Sequence, residues 1–330
     1  KETILWFAVW MLWQHTIWVT NWFNPDTRPI RILLFISMLV GLVMAAAIPY
    51  AFTYRGLIFA VCYVLIQAGR TLYIIGVLGD HHLAANFKRI MGWFCISAVF
   101  WITGAILQGE WQILLWIIAA ICDYTAPMHG FALPRLGRSD SSKEWTIEGH
   151  HLVERCQLFV IIAFGETLLM TGASLSEVEE WTPLVIGSLA MWWVYFDVSS
   201  EAGSRKIQEV KDPGKLGLIY NAIHIVLVGA LIICAVGDEL IVAYPEQEMR
   251  AEVVFVLIIG PIVYILANSI YKYVTCRMLP LSHIIAVIAL ALLLPWPYHI
   301  SLLTMNILVT SVFIFVIVFD MLFPNKGFKI

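Results

Sequence analysis

The residues best suited to chemistry crowd into one stretch, Glu148-Gly149-His150-His151-Leu152-Val153-Glu154-Arg155-Cys156-Gln157, which runs on through Phe164-Gly165-Glu166-Thr167. On a helix of about 3.6 residues per turn, His151, Arg155, Ile162 and Glu166 fall along one stripe. A rise of about 1.5 Å per residue puts Glu166 about 20 Å inside the span that this stretch opens. Imidazole, carboxylate and guanidinium groups there could move a proton, hold a cation or do general acid–base work. A second set follows in Trp192-Trp193-Val194-Tyr195-Phe196-Asp197 and Glu201, with Trp193, Asp197 and Glu201 on one face. If the two helices are antiparallel neighbours, Asp197 lies level with Glu154 and Arg155, and an Arg155–Asp197 ion pair is expected. Further polar groups sit in apolar surroundings: Asp123 and His129, Asn221 and His224, Gln67 and Arg70, Gln14 and His15.

Each of these also has a plainer reading. An Arg155–Asp197 pair could be purely structural. His150 and His151 fit a solvated interface, and His151 and Glu154 at i, i+3 have a spacing too common to imply a metal, so no metal is expected. His15 and His224 fit helix packing, and the tryptophans fit interfacial anchors. Glu166 leans the other way, because a carboxyl at that depth needs a partner or water.

The elements that must position these groups are membrane helices. Of 330 residues, 61% are hydrophobic and 13% charged, and the mean hydropathy is +0.84. Soluble domains run near 45–50% apolar and about 25% charged, so lipid must be part of the solvent. Eleven apolar stretches are long enough to span: 2–22, 30–52, 56–78, 87–107, 111–127, 151–174, 181–200, 216–237, 251–273, 280–295 and 300–322. They are continuous runs, which predicts an all-α polytopic protein and not a barrel. Six cysteines are scattered singly and suggest no disulfide framework. No phosphate-binding glycine loop and no basic–aromatic patch is present, so neither a nucleotide cofactor nor nucleic acid is expected.

Loop charge sets an orientation. Loops after the odd-numbered spans, with the C-terminal tail, hold fifteen Lys and Arg, against three (Lys1, Arg55, Arg250) on the other side. This places the C-terminus in the cytoplasm and residue 1 on the far side, and suggests one further span upstream in a twelve-span parent. The polar stretch 128–150 reads as a cytoplasmic linker between a first repeat, 1–127, and a second, 151–330. Met11-Leu12-Trp13 matches Met191-Trp192-Trp193, Leu39-Val40-Gly41 matches Leu227-Val228-Gly229, and Thr71-Leu72-Tyr73 matches Ser269-Ile270-Tyr271, in the same order. Two parallel six-helix repeats are the expectation.

His151-x-x-Glu154-Arg155-x-x-Leu158-Phe159-x-Ile161-Ile162-x-x-Gly165-Glu166, followed by a Trp-rich helix with Tyr195 and Asp197, resembles the low temperature requirement A (LtrA) membrane proteins. The resemblance implies a many-spanning protein of a bacterial-type cytoplasmic membrane. It does not define an activity, and the Glu-Leu-Phe-Phe-Asp-type signature of that family's first helix is absent from this chain.

The leading expectation is transport of an ion or small solute, with Glu166, Arg155 and Asp197 on the path and His151, Glu154, Glu201 and Asp123 in a cytoplasmic vestibule. His224, Asn221, Arg70, Gln67 and His15 would add polar lining. A membrane-embedded enzyme acting on a lipid-linked substrate through the same His, Glu and Asp groups is the second reading, weakened by the absence of a nucleophile motif. A scaffold with purely structural polar groups is the third. The lipid bilayer is the one certain partner.

Overall fold

The computed structural model describes residues 1–145, 147–173, 182–197, 205–207, 209–248, 251–295, 300–323 and 327–329. Glu201, Arg250 and Lys326 lie outside the described residues. The described chain is helical apart from a short ribbon in which Met278–Pro280 (β1) pairs antiparallel with Gly327–Lys329 (β2) and two isolated bridges.

Five helices come first: α1 (Glu2–Trp22), α2 (Arg28–Ala47), α3 (Gly56–Leu78), α4 (Ala84–Leu107) and α5 (Gly109–Met128). A short turn, α6 (Ser141–Glu144), precedes α7 (Gly149–Ala173), α8 (Thr182–Phe196) and α9 (Pro213–Ala243). Then α10 (Ala251–Val254) passes through a π-helical turn, Phe255–Ile259, into α11 (Gly260–Cys276), followed by α12 (Leu281–Leu293) and α13 (Leu302–Leu322). Helices are the natural outcome, since in lipid each backbone polar group must be satisfied within its own segment. Their ends fall at local turn chemistry. Asn24 accepts from the Asp26 amide at 2.8 Å before α2, and α3 closes on Gly79 at φ 53°. Gln108 and Gly109, at φ 57° and 59°, turn α4 into α5.

Among the described residues, seven helices are long and apolar enough to cross a membrane: Arg28–Tyr50, Gly56–Leu78, Ala84–Leu107, Gly109–Met128, Pro213–Ala243, Phe255–Cys276 and Leu302–Leu322. Helices also occupy the other expected stretches. Of these, α8 and α12 are apolar but shorter, while α1 and α7 are long but carry more polar residues.

The chain divides into two compact units, Lys1–Glu148 with Lys211–Lys215, and Gly149–Val210 with Leu216–Ile330. In the first, α4 packs on α3 and α5, α2 on α3, and α1 on α3 and α5. Its core is aromatic. Trp101 and Trp116 lie 5.2 Å apart and Tyr63 lies 4.8 Å from Trp101. The Trp116 indole donates to the Trp101 carbonyl at 2.9 Å.

The segment expected as a linker, 128–150, folds onto α4 as far as Glu148 and belongs to the first unit. Its anchor is Arg89, which donates to Ser139 Oγ at 2.9 Å, to the Leu136 carbonyl at 3.2 Å and to the Glu144 carboxylate. Asn86 accepts from Ser139 and Trp145 beside it. Arg89 and Lys272, two of the fifteen cations assigned to loops by the charge count, are instead buried inside α4 and α11, Arg89 against a hydroxyl, a carbonyl and a carboxylate and Lys272 against two carboxylates.

In the second unit, α8 packs on α7 and α13, α12 on α11 and α13, and the π-helical turn on α13.

Candidate functional site

The first unit holds a buried polar chain. Tyr63, Gln67 and Arg70 follow one another at i, i+4 and i+7 along the inner face of α3. Arg70 is 3% exposed. It donates to Thr16 Oγ1 at 2.7 Å and to the Leu12 carbonyl at 3.2 Å on α1, and to the Gln67 side-chain oxygen one turn back. The Gln67 amide donates to the Tyr63 hydroxyl at 3.4 Å. Tyr63 in turn donates to Asp123 Oδ2 on α5 at 2.8 Å, and the Trp101 indole of α4 donates to the same oxygen at 3.1 Å. Asp123, also 3% exposed, keeps its other oxygen, Oδ1, buried with no close hydrogen-bond partner among the described residues, and the Ser97 hydroxyl of α4 lies beside the carboxyl group.

Four helices therefore converge on a chain that has a guanidinium at one end and a carboxylate at the other. An unfilled carboxylate acceptor in an apolar interior is a place where a proton, a water or a cation is favoured. Asp123, expected in a vestibule, is thus an interior group. Sequence reasoning named Gln67, Arg70 and Asp123 but missed Tyr63, Thr16 and Trp101. The helical spacing of Tyr63, Gln67 and Arg70 was the signal that could have found the first. His15 stands apart from the chain, its Nδ1 3.0 Å from the Met11 carbonyl and its ring 5.1 Å edge-on from Phe94.

In the second unit the Arg155–Asp197 ion pair does not form. Asp197 accepts from Lys272 Nζ at 3.0 Å, and Lys272 also donates to Asp320 at 3.2 Å. The cation on α11 reaches across to α8 and α13 because two carboxylates offset its burial. On α7, Leu152, Val153, Cys156, Val160 and Phe164 face inward, and Glu154, Arg155, Ile162 and Glu166 are exposed. The stripe that carries Arg155 and Glu166 therefore turns outward, since the apolar face of the same helix takes the packing. His151 is half-buried. No hydrogen bond or ion pair joins Glu154, Arg155 or Glu166 to Asp197 among the described residues.

His224 is buried in a box of tyrosines. Its Nε2 lies 3.0 Å from the Tyr195 hydroxyl and its Nδ1 2.8 Å from the Tyr220 carbonyl. Tyr220 donates to Tyr271 at 3.2 Å, and Tyr195 stacks on Tyr271 at 5.5 Å. Both imidazole nitrogens are engaged, as a packing histidine requires. Asn221 accepts from the Cys156 thiol at 3.8 Å.

A polytopic helical membrane protein with buried ionisable groups is the class these features define. The chain belongs to the family described as bacterial low temperature requirement A protein (LtrA), which it matches over residues 1–318. It is 36% identical over 291 residues to the uncharacterized protein RA0937 of Rhizobium meliloti (strain 1021), covering 85% of this chain and 71% of that protein. No solved structure matches it.

Proposed function

We propose that this LtrA-family protein carries an ion or small solute across the cytoplasmic membrane, with the Arg70–Gln67–Tyr63–Asp123 chain as its working polar element. The observation that carries this reading is Asp123, a carboxyl group buried among the helices of the first unit, with Tyr63 and Trp101 donating to one oxygen, the Ser97 hydroxyl beside it, and its other oxygen, Oδ1, without a close partner among the described residues. Ionisable groups in a bilayer are costly, and those that persist mark ion and proton pathways. Glu166, on the outward stripe of α7 with Arg155, is proposed as a second acidic group on the path, and Asp197, paired with Lys272, as a charge near its entrance in the second unit.

The proposed topology has eleven crossings, α1, α7, α8 and α12 joining the seven long apolar helices. The C-terminus is cytoplasmic and residue 1 is on the other side, as the charge asymmetry favours. The two units are proposed to be related repeats. Supporting this, Thr71 and Ser269, paired in the sequence comparison, both donate back to a carbonyl one turn earlier, Gln67 and Ile265 respectively. Part of the packing supports it too: α4 lies against α3 and α5 as α12 lies against α11 and α13, and α1 packs on α5 as α8 packs on α13.

The test is flux in proteoliposomes loaded with a pH dye under imposed potassium, sodium and proton gradients. Wild-type flux abolished by Asp123→Asn, with Glu166→Gln measured alongside, supports the reading. Flux unchanged by both substitutions would remove these carboxylates from the path.

A further inference from the structure

The second unit contains a cavity of about 30 Å³ lined by Ser188 of α8, Asp238 of α9, Leu257 of the π-helical turn, and Asn306, Thr310 and Phe313 of α13. A single water needs about 10–15 Å³ by such a measure, so this space holds one small ion with a water, or two waters.

Its polar lining is all oxygen apart from the Cys234 thiol and the Asn306 amide nitrogen: one carboxylate, one amide carbonyl and two hydroxyls. Asn306 is 8% exposed, and its Oδ1 is buried with no hydrogen-bond partner among the described residues. Among the described residues Asp238 makes no ion pair, and no lysine, arginine or histidine lines the cavity. An orphaned buried carbonyl oxygen, Asn306 Oδ1, and a half-buried carboxylate without a cation, Asp238, line one small space, and both are served by a positive charge there.

The backbone is arranged to keep this space open and close-walled. A Cβ on Gly187 would come within 2.8 Å of Thr310 Oγ1, and one on Gly237 within 2.9 Å of the Leu257 side-chain tip, so side chains of α13 and the π-helical turn pack closely against α8 and α9 at these two glycines. The π-helical turn shifts hydrogen bonding by one residue, with the Gly260 amide bonded to the Phe255 carbonyl. Such turns interrupt membrane helices where a ligand is held more often than elsewhere.

We propose that this cavity binds one monovalent cation of sodium size, with Asp238 and Asn306 as its principal ligands and Ser188 and Thr310 completing the oxygen cage. Hard cations take oxygen ligands of this kind. Charge selects the valence: one carboxylate neutralises one positive charge, whereas a divalent ion would leave a net charge in an apolar interior. The site is distinct from the Asp123 chain and does not rest on the transport reading.

The experiment uses the whole chain, purified in detergent, with sodium chloride titrated against choline chloride at constant ionic strength. Sodium should raise the thermal midpoint saturably, by about 2–4 °C when the site fills. Asp238→Asn and the isosteric Thr310→Val should each weaken or remove that rise, while Asp123→Asn should keep it. Radiolabelled sodium should bind the wild type at one ion per chain, which keeps the test valid if Asp238→Asn does not fold. No saturable sodium binding to the wild type, or a rise that persists in a folded Asp238→Asn, overturns the proposal. Loss of flux in Asp123→Asn with sodium binding intact separates this site from the transport reading.

Discussion

Arg70 and Asp123 are each 3% exposed inside the same unit and make no ion pair with each other. Gln67 and Tyr63 stand between them, so guanidinium and carboxylate are joined only through neutral groups. A direct pair would neutralise both charges in place. The indirect linkage leaves Asp123 Oδ1 free to accept, which makes the carboxylate available to a mobile ion or proton.

Removing the middle of this chain separates function from fold. Tyr63→Phe leaves Asp123 with Trp101 and the neighbouring Ser97 hydroxyl, at a cost of about 1 kcal/mol in stability. If protons or ions use the chain, flux in proteoliposomes should fall about tenfold or more. Thermal unfolding and flux, measured on one preparation, check both halves of the expectation.

Lys272 holds two carboxylates from different helices. Lys272→Met leaves Asp197 and Asp320 facing each other without a cation, destabilising the second unit. Because Asp197 is half-exposed, with 45% of its side chain accessible, the loss should be about 1–3 kcal/mol, below that of a fully buried pair. Adding Asp320→Asn should recover part of it in a denaturation assay, whereas independent effects would simply add.

Gly56 sits where a methyl group would lie 2.6 Å from the Ala51 carbonyl and 2.6 Å from Gln112 Nε2. Gly56→Ala should therefore displace Gln112 from its 2.8 Å bond to Ala51 and lower stability by about 1–3 kcal/mol. Gly41, with nothing near its Cβ position, should accept alanine without such a loss, and the two thermal midpoints can be compared directly.

Outside the membrane, Asp140 caps α6, accepting from the Ser142 amide at 3.0 Å and hydroxyl at 2.6 Å. These bonds hold its carboxyl below the usual aspartate value of 3.8. A lowered folded-state value means that the stabilisation is present above pH 3.8 and is lost as pH falls through the lowered value. Protection of the amides in 140–145, measured relative to their intrinsic exchange rates, should fall on acidification across that window, and Asp140→Ala should remove the dependence. The group is exposed, so added salt should weaken the effect.

Hydropathy and the motif in α7 already reveal the helical membrane architecture, the family and most positions of the helices. Long apolar runs have one outcome in lipid, where each backbone group must be satisfied within its own segment. The sequence also identified Gln67, Arg70 and Asp123 as polar groups in the wrong solvent. Which groups meet was decided by the tertiary structure. Sequence spacing placed Arg155 opposite Asp197, yet α7 turns its apolar face inward and Lys272, from a helix seventy-five residues away, takes the carboxylate. The Asp238–Asn306 cavity left no local trace either, because its oxygens come from three helices, α8, α9 and α13, that are distant in the sequence. Burial tells each side chain that it needs a partner, and only the packing of distant helices determines which partner arrives.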